Sequence, residues 1–369
     1  MVRVKFAFKK EPEEYTKKKK GITLPTSKPV HIYWDITYKC PLKCAHCYAK
    51  PQRHLDKELT TSEVKKVIDY LSNNDIKLIT LTGGEPLVRE DLIDILKYAN
   101  EQNLHVSLIT TGIFPEKIRK IISHDLVKRI QFSLDSSNPT IYNKMRGIDD
   151  LYDRLIQSIN ISKEGNVRIS ICTTIMKQNY ADILNIFRLT FKMDLDEYRL
   201  MRLMPCGIAR KEYEKLAISF HEYRNLIRTL VDEYIKILDK PILIDVEEPY
   251  PLIEEFKELE KKGIIYYRSC LQGEAVCSLT ADGKIIPCPI GNYEEFIAGD
   301  IRKDDLIKVW QNSPIFNFFR DVKLIEVCNT CKYGDICKGG CRCAAFGYYG
   351  RLDAPDPMCP LSSEKNYEK

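Results

Sequence analysis

Residues 30–48 read VHIYWDITYKCPLKCAHCY and combine a strand signal with a compact cysteine group. The first part, Val30–Thr37, is rich in β-branched and aromatic side chains, which favour extended structure. Cys40, Cys44 and Cys47 follow at once, so the loop that carries them begins where a strand ends. Because parallel α/β folds bind their ligands at the carboxyl ends of strands, this loop is placed for a functional site.

The same theme of apolar run, polar turn and helical periodicity recurs as far as residue 210. We predict six strands, Val30–Thr37, Leu78–Thr82, His105–Thr110, Arg129–Leu134, Val167–Thr173 and Tyr198–Leu203. Helices are predicted over Thr61–Ser72, Asp91–Gln102, Pro115–Ser123, Leu151–Lys163 and Tyr180–Phe191. This alternation predicts an α/β fold with a parallel sheet, either open and doubly wound or a partial barrel.

Composition excludes several classes of protein. The chain has 369 residues, of which 44% are hydrophobic and 30% charged, so it is neither disordered nor a membrane bundle. It lacks an apolar run of the roughly 20 residues that span a bilayer and a secretory signal, so we expect a cytoplasmic protein. Lys and Arg exceed Asp and Glu by only 57 to 52, and we expect neither nucleic acid nor membrane as a partner.

Four segments are expected along the chain. Residues 1–29 form a basic N-terminal tail, and residues 30–210 form the α/β domain. Residues 211–265 form a linker with an amphipathic helix from Phe220 to Tyr234, a strand within Pro241–Pro249 and a short helix over Tyr250–Lys262. From residue 266 to 369, cysteine and glycine rise and helical periodicity fades, as in a small domain held together by metal.

Cysteine grouping indicates iron or zinc. The chain has 14 cysteines, and without an export signal they should stay reduced. Three thiolates on one short loop bind three irons of a cubane [4Fe–4S] cluster and leave the fourth iron open for chemistry. The alternative is a zinc site with His46 as the fourth ligand, although its place between two ligands makes simultaneous coordination awkward.

The spacing of Cys40, Cys44 and Cys47, followed by the aromatic Tyr48, resembles the signature of the radical S-adenosylmethionine (SAM) superfamily. The resemblance implies that these cysteines hold the catalytic cluster and that its open iron chelates SAM. An electron from the cluster then cleaves SAM to a 5′-deoxyadenosyl radical. Gly83-Gly84-Glu85-Pro86, after the second predicted strand, resembles the family loop that holds SAM's amino group.

The same resemblance implies further contacts to SAM and a partial (β/α)6 barrel like that of a TIM barrel. Ser133 and Asp135 correspond to polar groups that meet the ribose or carboxylate, and Arg146 to an arginine that meets the carboxylate. Met204 lies in a segment that resembles the adenine-lining one. The alternatives are a helix cap for Ser133 and Asp135 and a surface ion pair for Arg146.

The second cysteine group resembles the SPASM domain, which carries auxiliary iron–sulfur clusters. The resemblance implies one cluster on Cys270, Cys277, Cys288 and Cys341, and a second on Cys328, Cys331, Cys337 and Cys359. With the catalytic cluster, the cofactors would be three [4Fe–4S] clusters and SAM. By spacing alone, a pair of zinc ribbons fits as well. Cys343 is left over, Cys172 is expected to be buried and inert, and Cys206 to be a small core filler.

Auxiliary clusters beside a radical site suggest an oxidation. ITYKCPLKC at 36–44, SLITTGI at 107–113 and GGCRCAAFGYYGRLDAPDPMCP at 339–360 resemble peptide-modifying SPASM enzymes, in particular that of pyrroloquinoline quinone synthesis. That enzyme has an aspartate where this chain has Cys337. We therefore expect a radical SAM oxidoreductase that modifies a peptide or protein side chain. The alternatives are oxidative decarboxylation of porphyrin propionates in an alternative haem pathway and, in another class, a non-catalytic iron–sulfur or zinc binding protein.

The partners expected are a peptide or small-molecule substrate and an electron donor such as ferredoxin or flavodoxin. Only 29 residues precede the barrel, which leaves no room for a fused peptide-recognition domain, so a separate peptide-carrier protein is a further candidate. Asp245, Glu247 and Glu248 are candidates for a general base, with exposed carboxylates as the alternative.

Overall fold

A computed structural model describes residues 2–6, 24–49, 54–236, 243–248, 265–321 and 325–360. Its strands are β1 (Val2–Phe6), β2 (His31–Thr37), β3 (Leu78–Gly83), β4 (His105–Thr110), β5 (Arg129–Ser133), β6 (Arg168–Ile175), β7 (Glu197–Arg202), β8 (Leu243–Glu248), β9 (Ile265–Ser269), β10 (Val276–Leu279), β11 (Lys284–Ile286) and β12 (Gly299–Asp300). Its helices are α1 (Thr61–Asn73), α2 (Leu92–Glu101), α3 (Pro115–Ser123), α4 (Pro139–Arg146), α5 (Leu151–Ser162), α6 (Ile183–Lys192), α7 (Ala209–Leu216), α8 (Phe220–Lys236), α9 (Leu306–Asn312), α10 (Pro314–Arg320), α11 (Glu326–Asn329), α12 (Gly334–Cys337) and α13 (Arg342–Tyr349).

The parallel barrel is built from β2 to β7, which pair in chain order with helices between successive strands. All six predicted strands form, and β4 and α3 have the predicted bounds. The α/β prediction is confirmed, and the partial barrel is the correct choice between its two forms. Sequence periodicity missed two short helices, α4 and α7, which follow strand ends and bury only a few residues each.

Helix α1 shows why the predicted boundaries hold. The Thr60 hydroxyl accepts a hydrogen bond from the Glu63 amide at 3.3 Å, and the Glu63 carboxylate accepts one from the Thr60 amide at 2.8 Å. This reciprocal capping box fixes the helix start. The helix then buries Val64, Val67, Ile68 and Leu71 against the sheet, at the spacing of one helical face.

The N-terminal residues differ from the predicted tail. β1 lies between β8 and β9 and pairs with both in antiparallel fashion, with Val4 opposite Val246 and Tyr267. β8 in turn extends the barrel as a strand parallel to β7, and it carries the backbone of Asp245, Glu247 and Glu248. The side chains of these three acids and the predicted helix over 250–262 lie outside the described residues.

The cysteine-rich region continues the barrel sheet on its other side. β10 pairs with β2 in parallel, with Ser278 opposite Tyr33, and β11 and β12 follow in antiparallel order. This pairing places the C-terminal domain over the loop that follows β2. The predicted amphipathic helix forms as α8 and buries Tyr223, Leu226, Ile227, Leu230, Val231 and Tyr234. In the part of the chain that is described, no helix has the length and apolar character to cross a bilayer.

Candidate active site

A cavity opens at the carboxyl ends of the barrel strands. It encloses about 1600 Å³, counting its open mouth. Both cysteine groups contribute to its wall: Cys40, Cys44, Cys47, Cys270, Cys288, Cys341 and Cys343. The structure therefore brings the two cysteine-rich segments to one chamber, although more than 200 residues of sequence separate them.

The loop that carries the first three cysteines is anchored at several points. The Tyr38 amide donates a hydrogen bond to the Glu58 carboxylate at 2.6 Å, and the Tyr38 hydroxyl donates to Asp282 of the C-terminal domain at 2.6 Å. Further along, the Lys43 amide donates to the carbonyl of Arg146 at 3.0 Å. These bonds hold the loop between the barrel and the C-terminal domain.

The three loop cysteines lie in an environment that disfavours the thiolate form when no metal is bound. Burial raises the pKa of Cys40 to about 12 and that of Cys47 to about 11, and it also raises the pKa of Cys44. A buried thiolate needs a cation to offset its desolvation, and iron supplies that charge. Soft sulfur donors beside open space fit a cubane cluster.

The cysteine loop differs from a site that holds a single metal ion. Among the residues that the structure describes, no three His, Cys, Asp or Glu side chains converge on one metal ion. A cubane spaces its thiolates farther apart than one ion does, because each thiolate binds a different iron.

The loop Gly83-Gly84-Glu85-Pro86 packs directly against the cysteine loop. Gly83 has φ of +133°, and a Cβ on Gly84 would lie 2.2 Å from the carbonyl oxygen of Lys39. The Gly84 amide donates to Thr37 at 2.8 Å and the Glu85 amide to Lys39 at 2.9 Å. Both glycines are therefore required by close backbone approach, and both line the cavity.

Glu85 is buried and fully engaged. Its carboxylate accepts hydrogen bonds from the Thr111 amide at 2.8 Å and the Thr111 hydroxyl at 2.7 Å, from the Thr110 hydroxyl, and from the Leu87 amide at 3.1 Å. This glutamate fastens the ends of β3 and β4 together, so its side chain positions the glycine loop. Pro86 is buried beside it and does not line the cavity as described.

Arg146, Asp135 and His46 form a buried charged network behind the cysteine loop. The Arg146 guanidinium pairs with Asp135 through Nη2 and lies 3.7 Å from the Cys44 sulfur through Nη1, while His46 Nε2 lies 3.1 Å from the same carboxylate. Burial alone would raise the pKa of Asp135, but Arg146 and His46 hold it well below its usual range. The surface ion pair considered for Arg146 is wrong, since its side chain is only 10% exposed.

Other residues implied by the resemblance fall into two groups. Tyr48 and Ser133 line the cavity. Asp135 is fully buried at the end of β5 behind the lining, where the Thr174 amide donates to its carboxylate at 2.9 Å. Met204 is not among the described lining residues, but it is buried in a second apolar cluster with Cys206, Phe346 and Cys288, and Cys288 itself lines the cavity.

The cysteines of the first predicted auxiliary set are divided between the cavity wall and the core. Cys270, Cys288 and Cys341 line the cavity, but Cys277 is completely buried in the main core, with its sulfur 3.7 Å from the carbonyl oxygens of Ser278 and Ile286. Cys343 lies within hydrogen-bonding reach of Cys288 and Cys341. The hydrogen bond from Cys343 lowers the pKa of Cys341 to about 7. Cys277 lies on β10, whose orientation turns this side chain into the core.

The second auxiliary set lies outside the described lining of the cavity. Burial raises the pKa of Cys328 to about 11, and Cys337 and Cys331 lie close enough to raise it further. The Cys331 amide donates to the Cys328 carbonyl at 3.2 Å, and the Cys359 amide donates to the Asp356 carbonyl at 2.9 Å. The structure thus brings three of these four thiols together, and a turn within the C-terminal loop holds the backbone of the fourth.

Sequence reasoning missed several residues of the site. Arg199 and Gln131 are buried and form part of the cavity floor inside the barrel, together with Cys172, which was expected to be inert core. The signal that finds them is strand alternation, because residues two apart on β5 and β7 face the same side. Cys206 is buried as expected, with its sulfur 3.4 Å from the Cys343 carbonyl oxygen.

Two family models match the chain, one described as the radical SAM superfamily over residues 34–190 and one as an iron–sulfur cluster-binding domain, SPASM, over residues 270–332. The AdoMet-dependent haem synthase of Methanosarcina barkeri is 27% identical over 90% of this chain and 97% of its own. The mycofactocin maturase MftC of Mycolicibacterium smegmatis is 29% identical over 90% and 82%.

A PqqA peptide cyclase from Bradyrhizobium diazoefficiens is 26% identical over 90% of this chain and 87% of its own. Among solved structures, SuiB of Streptococcus suis bound to S-adenosylmethionine superposes with a TM-score of 0.72 at 17% identity, covering 96% of this chain and 84% of SuiB. That likeness concerns the fold. The predicted resemblance to radical SAM and SPASM proteins is confirmed.

Proposed function

We propose that this chain, which matches the models of the radical SAM superfamily and of the SPASM domain, is a radical SAM enzyme that oxidatively modifies a peptide or protein side chain. When bound, SAM and the clusters supply an electron that cleaves SAM, a radical that removes one substrate hydrogen, and an acceptor for the second electron. The substrate loses two electrons in total, and the proton released with the second goes to a protein base or water.

This chain's residues prepare the SAM site. Cys40, Cys44 and Cys47 offer three sulfur donors on an anchored loop, and the Gly83-Gly84 backbone lies directly against that loop. Arg146 brings a positive charge to the Cys44 sulfur and to the cavity wall. Its Nε atom is buried and has no hydrogen-bond partner among the described residues, so one donor is available to a ligand carboxylate.

We assign the first auxiliary cluster to Cys270, Cys288, Cys341 and Cys343, and the second to Cys328, Cys331, Cys337 and Cys359. The support for Cys343 is its contact with two of the other ligands, and the argument against Cys277 is its burial in the core. With the catalytic cluster, this gives three clusters and leaves Cys172, Cys206 and Cys277 without a cluster.

The observation that carries the oxidative function is the shared cavity. Thiols of the catalytic group and of the first auxiliary group line one chamber, so a substrate held there lies between the source of the radical and an electron acceptor. The chamber also has a partly apolar wall, with Ile109, Phe319 and Ile290, which suits an inserted side chain. The peptide class is supported by two relatives, a mycofactocin maturase and a PqqA peptide cyclase.

A second candidate substrate is a porphyrin. It is favoured by the AdoMet-dependent haem synthase, which is matched over 97% of its own length. Two cations, Arg146 and Arg199, in the described wall of the cavity would suit propionate groups. The two candidates differ in what the substrate loses: hydrogen from a peptide, or hydrogen together with carbon dioxide from a porphyrin.

The experiment uses the full chain, reconstituted with iron and sulfide under anaerobic conditions and reduced with dithionite. Synthetic peptides encoded by short reading frames beside the gene and an iron porphyrin with propionate side chains are offered in parallel with SAM. We expect a peptide to lose two hydrogens as 5′-deoxyadenosine accumulates, and the porphyrin to remain intact. Loss of carbon dioxide from the porphyrin alone would replace the peptide proposal with the second candidate.

The same assay addresses the partners. We propose that a reduced ferredoxin or flavodoxin replaces dithionite in the cell, and that a separate carrier protein presents the peptide. Supplying reduced flavodoxin without dithionite should sustain turnover. A peptide product that forms at full rate without any added protein would make the carrier unnecessary.

A further inference from the structure

A fully buried ion pair joins the barrel to the auxiliary clusters. Arg202 is the last residue of β7, Asp356 lies in the C-terminal loop, and each side chain is at most 2% exposed. Arg202 Nη1 donates to Asp356 Oδ1 at 2.7 Å, and Nη2 pairs with Oδ2. This bidentate geometry is the strongest form of an arginine–carboxylate contact.

Asp356 also holds the backbone on both sides of the auxiliary thiols. Its carboxylate accepts a hydrogen bond from the amide of Cys341 at 2.7 Å and from the amide of Met358 at 2.9 Å, and its carbonyl accepts one from the amide of Cys359 at 2.9 Å. Cys341 belongs to the first proposed cluster and Cys359 to the second. One aspartate therefore orients a ligand of each cluster.

The ion pair is not explained by its contribution to the free energy of unfolding, because apolar packing would give similar stability. Buried ion pairs are often neutral or unfavourable compared with hydrophobic residues of the same volume. The charges of the pair lie close to Cys341, and they also interact electrostatically with Arg342 and Tyr213. A charge beside an iron–sulfur cluster changes the free energy of adding an electron.

We propose that the Arg202–Asp356 pair is a positioning element that locks both auxiliary clusters to the barrel and keeps their reduction potentials matched by cancelling charge at the cluster edge. This inference rests on the auxiliary clusters of the proposed function. Neither residue lines the cavity as described, so the pair acts through Cys341 and Cys359 and does not touch substrate.

The test compares Asp356→Asn, Arg202→Met and the double variant with the parent protein. All are made in a full chain that carries Cys40, Cys44 and Cys47 changed to Ala, so that only auxiliary clusters contribute to the EPR spectrum. Asp353→Asn is the matched control. Asp353 lies in the same loop, three residues before Asp356, and it pairs with Arg351, but its side chain is half-exposed.

Potentiometric EPR titration gives the decisive readout. Asp356→Asn leaves the arginine charge uncompensated and should shift the auxiliary potential to more positive values, whereas Arg202→Met leaves the carboxylate and should shift it to more negative values. The auxiliary potential of the double variant should return toward that of the parent protein. The potential of Asp353→Asn should equal that of the parent. Iron content should fall in both single variants, because Asp356→Asn changes the carboxylate that accepts from the Cys341 and Met358 amides and Arg202→Met removes the guanidinium that holds this carboxylate in place.

Three outcomes overturn the inference. Potentials of both single variants that match that of Asp353→Asn refute the electrostatic role. Shifts of the same sign in both variants mean that the pair acts only as packing. If a single variant fails to fold, Arg202→Lys keeps the charge and loses the fork, and unchanged iron content in that protein refutes the positioning role. A parent protein without auxiliary iron instead refutes the proposed function itself.

Discussion

Replacing Arg146 by Met should loosen the cysteine loop of the protein without its metal. Arg146 is the main cation that faces Asp135, and removing one partner of a buried ion pair costs about 3–5 kcal/mol. Asp135 keeps His46 at 3.1 Å and the Thr174 amide at 2.9 Å, so the lower end applies. A cost of about 3 kcal/mol raises the opening equilibrium about 150-fold, since about 1.4 kcal/mol is tenfold.

Alkylation of Cys44 measures that opening. The thiol is only 8% exposed, so a small reagent reacts when the loop opens, and the rate follows the opening equilibrium when reclosing is fast. Peptide mass spectrometry follows Cys44 in the apo-protein, with the rate in the unfolded chain as reference. Loss of Arg146 also removes a charge that favours the thiolate, and the reference corrects for the pH dependence of the reagent.

Arg154→Met is the matched control for this prediction. Arg154 on α5 pairs with Asp150 at 2.6 Å, and both side chains are largely solvent-exposed, so such a pair is worth under about 1 kcal/mol. The control should therefore change the Cys44 rate by less than about fivefold. An equally small change in Arg146→Met would refute the reasoning, because the buried network would then contribute no more than a surface pair.

Three other predictions concern single sites. Cys343→Ala should lower the iron content of the reconstituted protein by about one cluster, whereas Cys277→Ala should leave it unchanged, as measured by iron and sulfide analysis; the opposite result would restore Cys277 as a ligand. Thr60→Ala should lower the free energy of unfolding by about 1 kcal/mol through loss of the helix cap, measured by urea denaturation, and no change would show that the capping box does not form. The pKa of Asp135 is held below its usual range, so its contribution to stability is complete above about pH 4 and is lost as the pH falls further. The difference in melting temperature between the parent and Asp135→Asn should therefore shrink on acidification. A constant difference would contradict this sign.

Local chemistry was sufficient to predict the barrel from sequence. Strand β4 and helix α3 were placed residue for residue because alternation and a proline at the first helical turn mark them clearly. β1 was missed because its five residues acquire a strand role only by pairing with β8 and β9, which are distant in the chain. Such pairing depends on tertiary structure, and a short run beside a lysine-rich segment carries no sign of it.

In the site, too, local features were predictable from the sequence and long-range contacts were not. Spacing was enough to find the three loop cysteines and the glycine loop, because their function depends on local backbone geometry. Spacing could not decide between Cys277 and Cys343, because it does not tell which face of a strand or helix a thiol occupies. Asp356 was missed for a related reason: its role depends on contact with Arg202, 154 residues away.

The central claim is that this chain cleaves SAM at a cluster on Cys40, Cys44 and Cys47. The most direct measurement is 5′-deoxyadenosine formation by the reconstituted, dithionite-reduced protein, compared with the variant in which all three cysteines are Ala. We predict about 12 irons and steady product for the parent, and about 8 irons with no product for the variant. Product from the triple variant, or none from a parent that holds its full iron, would contradict the account.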